Sequence, residues 1–262
     1  MHPAVFHASH PSGDQTRIAR WFDGLGRSIK ATWLFLWAAT ATLLVVGPIL
    51  IASLGGGTGN QAFRLCRFWA QLFFTACRVR VRCRGKANVV FGRRYVIVSN
   101  HQSHLDAPAL IIALNIQYRT VVKEELGRIP VFGLALRKSR NIFIDRRDHE
   151  SAMASIRNGV KRLPPGVGIM FFPEGTRSPD GRLRPFKLGA FKVAIEQRLP
   201  VLPVAINGTR RLMPKGSLDF RPGTVEVVGT PPIEPVHAAF SGAETLSRAA
   251  HAAVAANRGS DE

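Results

Sequence analysis

Between residues 78 and 256, apolar and polar positions alternate in blocks of two different lengths. Short runs rich in β-branched residues predict buried strands, and they lie at 95–99, 117–122, 142–144, 167–170, 201–206 and 224–228. Longer stretches with apolar residues three or four positions apart predict helices, at 106–114, 149–163, 186–197 and 241–256. Strands that alternate with helices favour an α/β domain with a mixed, mainly parallel sheet flanked by helices.

The N-terminal part has a different pattern, because residues 31–54 form an apolar run without a charged side chain. As a helix, this run would measure ~36 Å and exceed a bilayer core of about 30 Å. A bend at Gly47 and Pro48 would equally allow a hairpin that returns to the same face, with 61–76 as its second helix. Residues 16–30 combine an apolar and a basic face, as an interfacial helix does. The sequence therefore predicts a membrane anchor and leaves spanning and dipping open.

These patterns divide the chain into four parts: a disordered tail at 1–15, amphipathic and hydrophobic anchor helices at 16–77, a catalytic domain at 78–235, and a C-terminal helix and tail at 236–262. At the start of the domain, Arg78–Arg84 alternates basic and apolar residues, which predicts an edge strand with one cationic face.

Charge narrows the choice of partner. The chain has 36 Lys and Arg residues against 17 Asp and Glu residues, a formal net charge of +19. A balance this basic predicts an anionic partner, either nucleic acid or a membrane face. The sequence has no recognised nucleic-acid module, whereas basic residues flank the apolar run, so we expect anionic membrane lipids and no nucleic acid. The three cysteines have neither metal spacing nor an even number, so we expect no metal site and no disulfide framework.

The segment Asn100–Asp106, with the sequence NHQSHLD, follows the strand predicted at 95–99. Within one helix, His101 and Asp106 would lie about 140° apart and could not meet. They can meet if His101 lies on a loop and Asp106 in the first turn of the next helix, where Pro108 costs no hydrogen bond. An imidazole oriented by a carboxylate is a general base. The alternative is that Asp106, or Ser103 through a Ser-x-x-Asp box, only caps the helix.

A second polar loop, Phe171–Ser178, follows the strand predicted at 167–170. Its sequence FFPEGTRS combines Gly175, which lets backbone N–H groups approach a ligand, with Arg177, whose planar guanidinium matches phosphate oxygens. Open α/β sheets build their sites along the carboxyl edge of the strands. The pair of loops thus predicts a base and a phosphate clamp at one sheet edge.

Together, NHQSHLD and FPEGTRS resemble the signature blocks of the PlsC-type glycerolipid acyltransferase family, the lysophosphatidate acyltransferases. The segments Asn141–Arg146 and Leu199–Gly208 resemble two further blocks, so the likeness covers about Arg78–Thr230. The resemblance implies the glycerolipid acyltransferase fold, preceded by a two-helix membrane anchor.

The resemblance also implies an activity, which is transfer of a fatty acyl group from acyl-CoA or acyl-carrier protein to the sn-2 hydroxyl of lysophosphatidate, giving phosphatidate. In that reaction His101 would be the base and Asp106 would orient it. The implied substrate-binding residues are Lys123, Arg146, Glu174, Gly175, Thr176 and Arg177. No cofactor beyond the acyl donor is implied. The expected location is an inner membrane with the catalytic domain on the cytoplasmic face.

Two alternatives remain at this stage. The first keeps the chemistry but changes the acceptor to another lyso-lipid. The second is a non-catalytic basic protein that binds a membrane surface, against which the intact His101, Asp106 and Arg177 argue. A serine hydrolase based on Ser103 is not favoured, because the Gly-x-Ser-x-Gly context of that chemistry is absent.

Overall fold

The computed structural model describes residues 57–217, 220–235 and 242–259, together with single positions between 29 and 51. The predicted tail at 1–15 lies outside the described residues, as do most of positions 16–54 of the anchor predicted at 16–77. The predicted C-terminal tail is described only in part.

From residue 57 onward, the described part of the chain contains seven α-helices and seven strands. The strands are β1 Val79–Arg84, β2 Val96–Ser99, β3 Tyr118–Lys123, β4 Ile142–Ile144, β5 Gly168–Phe171, β6 Val201–Asn207 and β7 Gly223–Gly229. The helices are α1 Asn60–Ala76, α2 Asp106–Ala113, α3 Phe132–Lys138, α4 His149–Lys161, α5 Gly189–Glu196, α6 Thr209–Leu212 and α7 Ala243–Ala256. Short 3₁₀ turns lie at Lys86–Asn88 and Glu124–Arg128. Each predicted strand is present.

The strands form one sheet in the order β1-β7-β6-β2-β5-β3-β4. The β6–β7 pair is antiparallel, and the other pairs are parallel. The predicted α/β class with a mixed, mainly parallel sheet is therefore confirmed. Strand β1 lies at one edge, and its Arg80, Arg82 and Arg84 are exposed while Val79 is buried, as expected for an edge strand with one cationic face.

The connections that leave β2 and β5 cover opposite faces of the sheet. Helix α2, after β2, packs Ala109 and Leu110 into one apolar core. Helix α5, after β5, packs Ala190 and Phe191 into the other. Because β2 and β5 are neighbours, a crevice opens between their carboxyl ends, and this is where ligands bind in open α/β sheets.

One boundary differs from its prediction, because the helix predicted over 186–197 begins only at Gly189. The backbone N–H of Lys187 donates to Pro173 O at 2.9 Å, and the N–H of Arg184 donates to Glu174 at 3.0 Å. These bonds hold the preceding residues against the loop that follows β5, so they cannot join the helix.

The helix predicted at 61–76 is present as α1, but it packs against α2 and β1, so the described residues do not support the predicted two-helix membrane anchor. Phe63 and Phe74 of α1 are buried in the core shared with α2. The buried guanidinium of Arg119 holds the start of α1 by donating to Asn60 Oδ1 at 2.6 Å. Among the described residues, no helix has both the length and the apolar character needed to cross a membrane.

Candidate active site

His101 and Asp106 meet as the spacing predicts, with His101 on the loop after β2 and Asp106 as the first residue of α2. Imidazole Nδ1 lies 2.7 Å from carboxylate Oδ2. The same oxygen accepts the backbone N–H groups of Gln102 at 2.6 Å and Ser103 at 2.9 Å. The carboxylate is 1% exposed and the imidazole 21%. A buried, backbone-anchored carboxylate thus fixes Nδ1 as a donor and leaves Nε2 with the lone pair.

The imidazole also has a stacking partner, Phe172, whose ring centroid lies 3.9 Å away with an interplanar angle of 16°. The phenyl ring covers one face of the imidazole of His101. The hydrogen bond to Asp106 therefore limits rotation of the imidazole within its own plane, and the stacked ring of Phe172 limits tilting out of that plane. The sequence does not signal this contact, because Phe172 continues an apolar strand and has the pattern of a core residue.

Glu174 connects the two motif loops. Its Oε1 accepts the backbone N–H of His101 at 2.6 Å, and its Oε2 accepts that of Arg184 at 3.0 Å. In the other direction, the backbone N–H of Ser178 donates to His101 O at 2.8 Å. Burial raises the pKa of the Glu174 carboxyl, and the two N–H donors oppose the rise. The sequence placed Glu174 in the acceptor pocket; in the structure the residue is 5% exposed and acts as a brace behind the loop.

Gly175 has a left-handed backbone, with φ at +77°. A Cβ built there would lie 3.0 Å from the Cε atom of Lys187, a flexible side chain that can move aside, so glycine is favoured mainly by the backbone conformation. Arg146 Nη1 donates to Gly175 O at 2.5 Å, which brings the arginine after β4 to the loop after β5. The next predicted residue, Thr176, is exposed.

Arg177 lies close enough to His104 to affect its ionisation. The pKa of His104 is lowered, first by partial burial, then by the positive charge of Arg177 and by an electrostatic interaction with His101, while Asp106 opposes the shift. The Nη1 atom of Arg177 has no hydrogen-bond partner among the described residues. The Lys215 ammonium donates to Arg177 O at 2.9 Å. A guanidinium with unused donors therefore lies beside the His101 loop.

Lys123, at the end of β3, forms an ion pair with Glu125, with Nζ 2.8 Å from Oε1. The Glu125 charge raises the pKa of Arg146, although burial lowers it more. Lys123 and Arg146 thus share one cluster of charges at the carboxyl ends of β3 and β4. The sequence already allows this pairing as the alternative to phosphate binding, because two glutamates directly follow Lys123. Among the described residues, no three His, Cys, Asp or Glu side chains are grouped to hold a metal ion.

Comparison with known proteins points in the same direction. The family model described as Acyltransferase matches residues 80–207. A chloroplastic 1-acyl-sn-glycerol-3-phosphate acyltransferase of Brassica napus is 41% identical over 122 residues, which are 47% of this chain and 35% of the relative. A 1-acyl-sn-glycerol-3-phosphate acyltransferase of Chlamydomonas reinhardtii is 32% identical over 240 residues, covering 87% of this chain and 69% of the relative.

Among solved structures, the 1-acyl-sn-glycerophosphate acyltransferase PlsC from Thermotoga maritima matches with a TM-score of 0.73 and 30% sequence identity. The match covers 87% of this chain and 94% of that chain. The chain spans 35% and 39% of the length of two curated plant relatives but more than two thirds of the algal one. With its two motif loops joined around His101 and Asp106, the chain belongs to the PlsC-type glycerolipid acyltransferase family.

Proposed function

We propose that the protein transfers a fatty acyl group from acyl-CoA or acyl-carrier protein to the sn-2 hydroxyl of lysophosphatidate, giving phosphatidate. The observation that carries the proposal is the 2.7 Å contact between His101 and the buried Asp106, beside a guanidinium with unused donors. The names of the relatives, which are 1-acyl-sn-glycerol-3-phosphate acyltransferases, support lysophosphatidate as the acceptor.

In this mechanism, Nε2 of His101 takes the proton of the acceptor hydroxyl as its oxygen attacks the thioester carbonyl. A C–O bond forms, the C–S bond breaks, and the imidazolium returns its proton to the leaving thiolate. Asp106 stabilises the imidazolium between these steps. Phe172 and Asp106 hold the ring in one orientation, so little freedom is lost when the hydroxyl arrives.

The acceptor phosphate binds along the cationic edge of the crevice. Arg177 is the main clamp, because its Nη1 has no other partner in the described chain and a guanidinium binds phosphate with two parallel hydrogen bonds. Arg146 is held to the same loop through Gly175 O. Lys123 contributes once its pair with Glu125 opens, and such exposed pairs are worth only about 1 kcal/mol or less. Thr176 adds an exposed hydroxyl.

The protein acts at a membrane. The described positions between 29 and 51 are helical, and five of them are apolar residues exposed to solvent. These are Ile29, Trp33, Leu36, Leu44 and Ile51. The buried Val45 instead packs with Ala62. Helical positions with apolar side chains open to solvent, next to basic residues in the sequence, fit an anionic membrane face, here the cytoplasmic face of an inner membrane.

The test is acyl transfer by His101→Ala, with His149→Ala as the control. His149 is an exposed histidine at the start of α4, so its loss should leave turnover unchanged. We expect the His101 variant to fold and to lose roughly 10²–10⁴ in rate, the usual contribution of a positioned base. Equal turnover by the two variants would refute the base assignment.

Acceptor identity is tested with a panel of lyso-lipids that share one acyl chain and differ in the head group. Lysophosphatidate should give the highest kcat/KM, because the cationic edge matches a terminal phosphate. A higher value for another lyso-lipid would keep the chemistry and change the substrate. A membrane-binding protein without catalysis would turn over none of them.

A further inference from the structure

Three neighbouring residues between β3 and α3 expose an apolar tip. Ile129 is 46% exposed and Phe132 is 43% exposed, and Pro130 between them is exposed as well. Single apolar residues on a surface are ordinary, but a contiguous group rimmed by polar residues marks a site of interaction. We call Ile129, Pro130 and Phe132 the apolar tip.

The backbone holds the apolar tip in an unfavourable conformation. Val131 has φ +64° and ψ −56°, and the N–H of Phe132 donates to Pro130 O at 2.6 Å. This is a γ-turn of the rare, strained kind, and a β-branched residue is poorly suited to positive φ. Strain of this kind persists only where the surroundings impose it and is concentrated at functional sites.

The base of the loop explains how the turn is imposed. A Cβ built on Gly133 would lie 2.3 Å from Gly127 O, so the two ends of the loop are in direct backbone contact. The N–H of Gly133 donates to Ile129 O at 2.8 Å. With its ends closed in this way, the loop cannot fold its side chains inward, and the apolar tip stays directed at solvent.

Basic residues surround the apolar tip. From 123 to 138 the chain has four basic side chains and two acidic ones. Arg128 precedes the tip and is 3.6 Å from Glu124, while Arg137 lies over the Phe143 ring. An apolar tip with an excess of positive charge around it complements an anionic lipid surface, into which apolar side chains insert while cations meet the head groups.

The position of the apolar tip connects it to both the site and the N-terminal helix. The 3₁₀ turn that leads to it begins directly after Lys123, at the carboxyl edge of the sheet. Helix α3 begins at Phe132, and its Ala135 packs in a cluster with Val45 and Trp69. The tip therefore belongs to the same packed unit as the exposed apolar helix proposed to contact the membrane.

We propose that the apolar tip inserts into the interfacial layer of an anionic bilayer and holds the mouth of the crevice against the lipid, as a second contact beside the N-terminal helix. The proposal rests on the proposed acylation of a membrane lipid, because the tip lies beside Lys123 and the site edge. It assigns these residues to docking on the membrane and not to contact with the acyl chain of a substrate.

Insertion is tested directly with the full chain and two tryptophan variants, Phe132→Trp and Phe91→Trp. Phe91 is the matched control, since it is 80% exposed on the loop before β2, at the opposite edge of the sheet. Each variant is mixed with vesicles of equal parts phosphatidylglycerol and phosphatidylcholine that carry bromine on their acyl chains. We expect added quenching for Phe132→Trp alone. No added quenching there, or equal quenching in both variants, would overturn the proposal.

Function is tested with the double variants Ile129→Ser/Phe132→Ser and Val90→Ser/Phe91→Ser. On lysophosphatidate embedded in those vesicles, we expect the first to lose about tenfold in kcat/KM, because interfacial binding scales with buried apolar area, and the second to be unchanged. On a short-chain, monomeric lysophosphatidate, both should match the parent. A loss on the monomeric acceptor, or a changed acyl-chain preference, would overturn the proposal and assign the tip to binding of the substrate acyl chain. A parent inactive on both acceptors would instead refute the proposed function, while the quenching result would still decide docking.

Discussion

Replacement of Asp106 by Asn tests whether this residue orients a base or only caps a helix. The variant keeps the size of the side chain and removes its charge. One amide oxygen can still accept the N–H groups of Gln102 and Ser103, which now lie 2.6 and 2.9 Å from Oδ2. The loop should therefore keep its shape, while the imidazolium formed during the reaction loses its anionic partner.

The size of the effect follows from the geometry. Nδ1 and Oδ2 are 2.7 Å apart, and because both charges are delocalised their centres are separated by about 4 Å. At that separation, an effective dielectric constant of about 20 gives roughly 4 kcal/mol. Since 1.36 kcal/mol corresponds to a factor of ten in rate, we expect kcat/KM to fall by roughly 10³.

The assay compares kcat/KM and the free energy of unfolding for Asp106→Asn and for a control, Asp148→Asn. Asp148 caps α4 by accepting the N–H of Ser151 at 3.0 Å. Because Asn caps a helix N-terminus about as well as Asp, the control should lose little stability and no activity. If Asp106→Asn lost no more activity than the control, or lost it only by unfolding, Asp106 would be a helix cap and the reasoning would fail.

Three further substitutions test the neighbours of this pair. In Arg177→Gln the pKa of His104 should rise, because a positive charge that disfavours the imidazolium is removed; an unchanged histidine NMR titration would place the guanidinium elsewhere. In Gly175→Ala we expect the free energy of unfolding, measured with denaturant, to fall by about 1–2 kcal/mol, because φ is +77° at this position. We also expect the Lys187 side chain to be displaced. An unchanged free energy of unfolding would contradict the left-handed conformation. In Glu174→Gln, one backbone N–H group faces the amide NH₂ group instead of an oxygen, so the free energy of unfolding should fall by about 1–3 kcal/mol. A variant as stable as the parent would refute the role of Glu174 as a brace. Burial raises the folded pKa of Glu174, so its contribution to stability falls as pH rises through that value, and the Gln variant should lack this decline.

The parts of the site that the sequence could predict are those set by local geometry. His101 and Asp106 are separated by one loop and one helical turn, so the spacing and Pro108 were enough to predict their contact. The polar loop Phe171–Ser178 was visible because Gly175 and Arg177 interrupt an apolar run. Each of these signals depends on residues that lie within a few positions of each other.

The contacts that sequence reasoning missed join distant residues of ordinary appearance. Phe172 stacks on His101, yet in an apolar run it cannot be distinguished from a core residue. Glu174 looked like a substrate contact because it is acidic and lies in a motif, but its two oxygens accept backbone N–H groups from separate loops. Val131 has a positive φ. No local signal in the sequence indicates this conformation, because valine is β-branched and disfavours it.

Strand order is the remaining step that the sequence did not determine, and the site depends on it. Neighbouring strands lie about 4.8 Å apart. Had β5 been added outside β4, in the order of the chain, it would have been three strands from β2, or about 14 Å away. Glu174 could not then accept the N–H of His101, which it does at 2.6 Å. Instead β5 inserts between β2 and β3, and the crossovers from β2 and β5 run in opposite directions. The brace from Glu174 and the ring contact from Phe172 both follow from the insertion of β5 beside β2. The base and the phosphate clamp therefore lie at the same sheet edge because of the strand order, which neither motif determines alone.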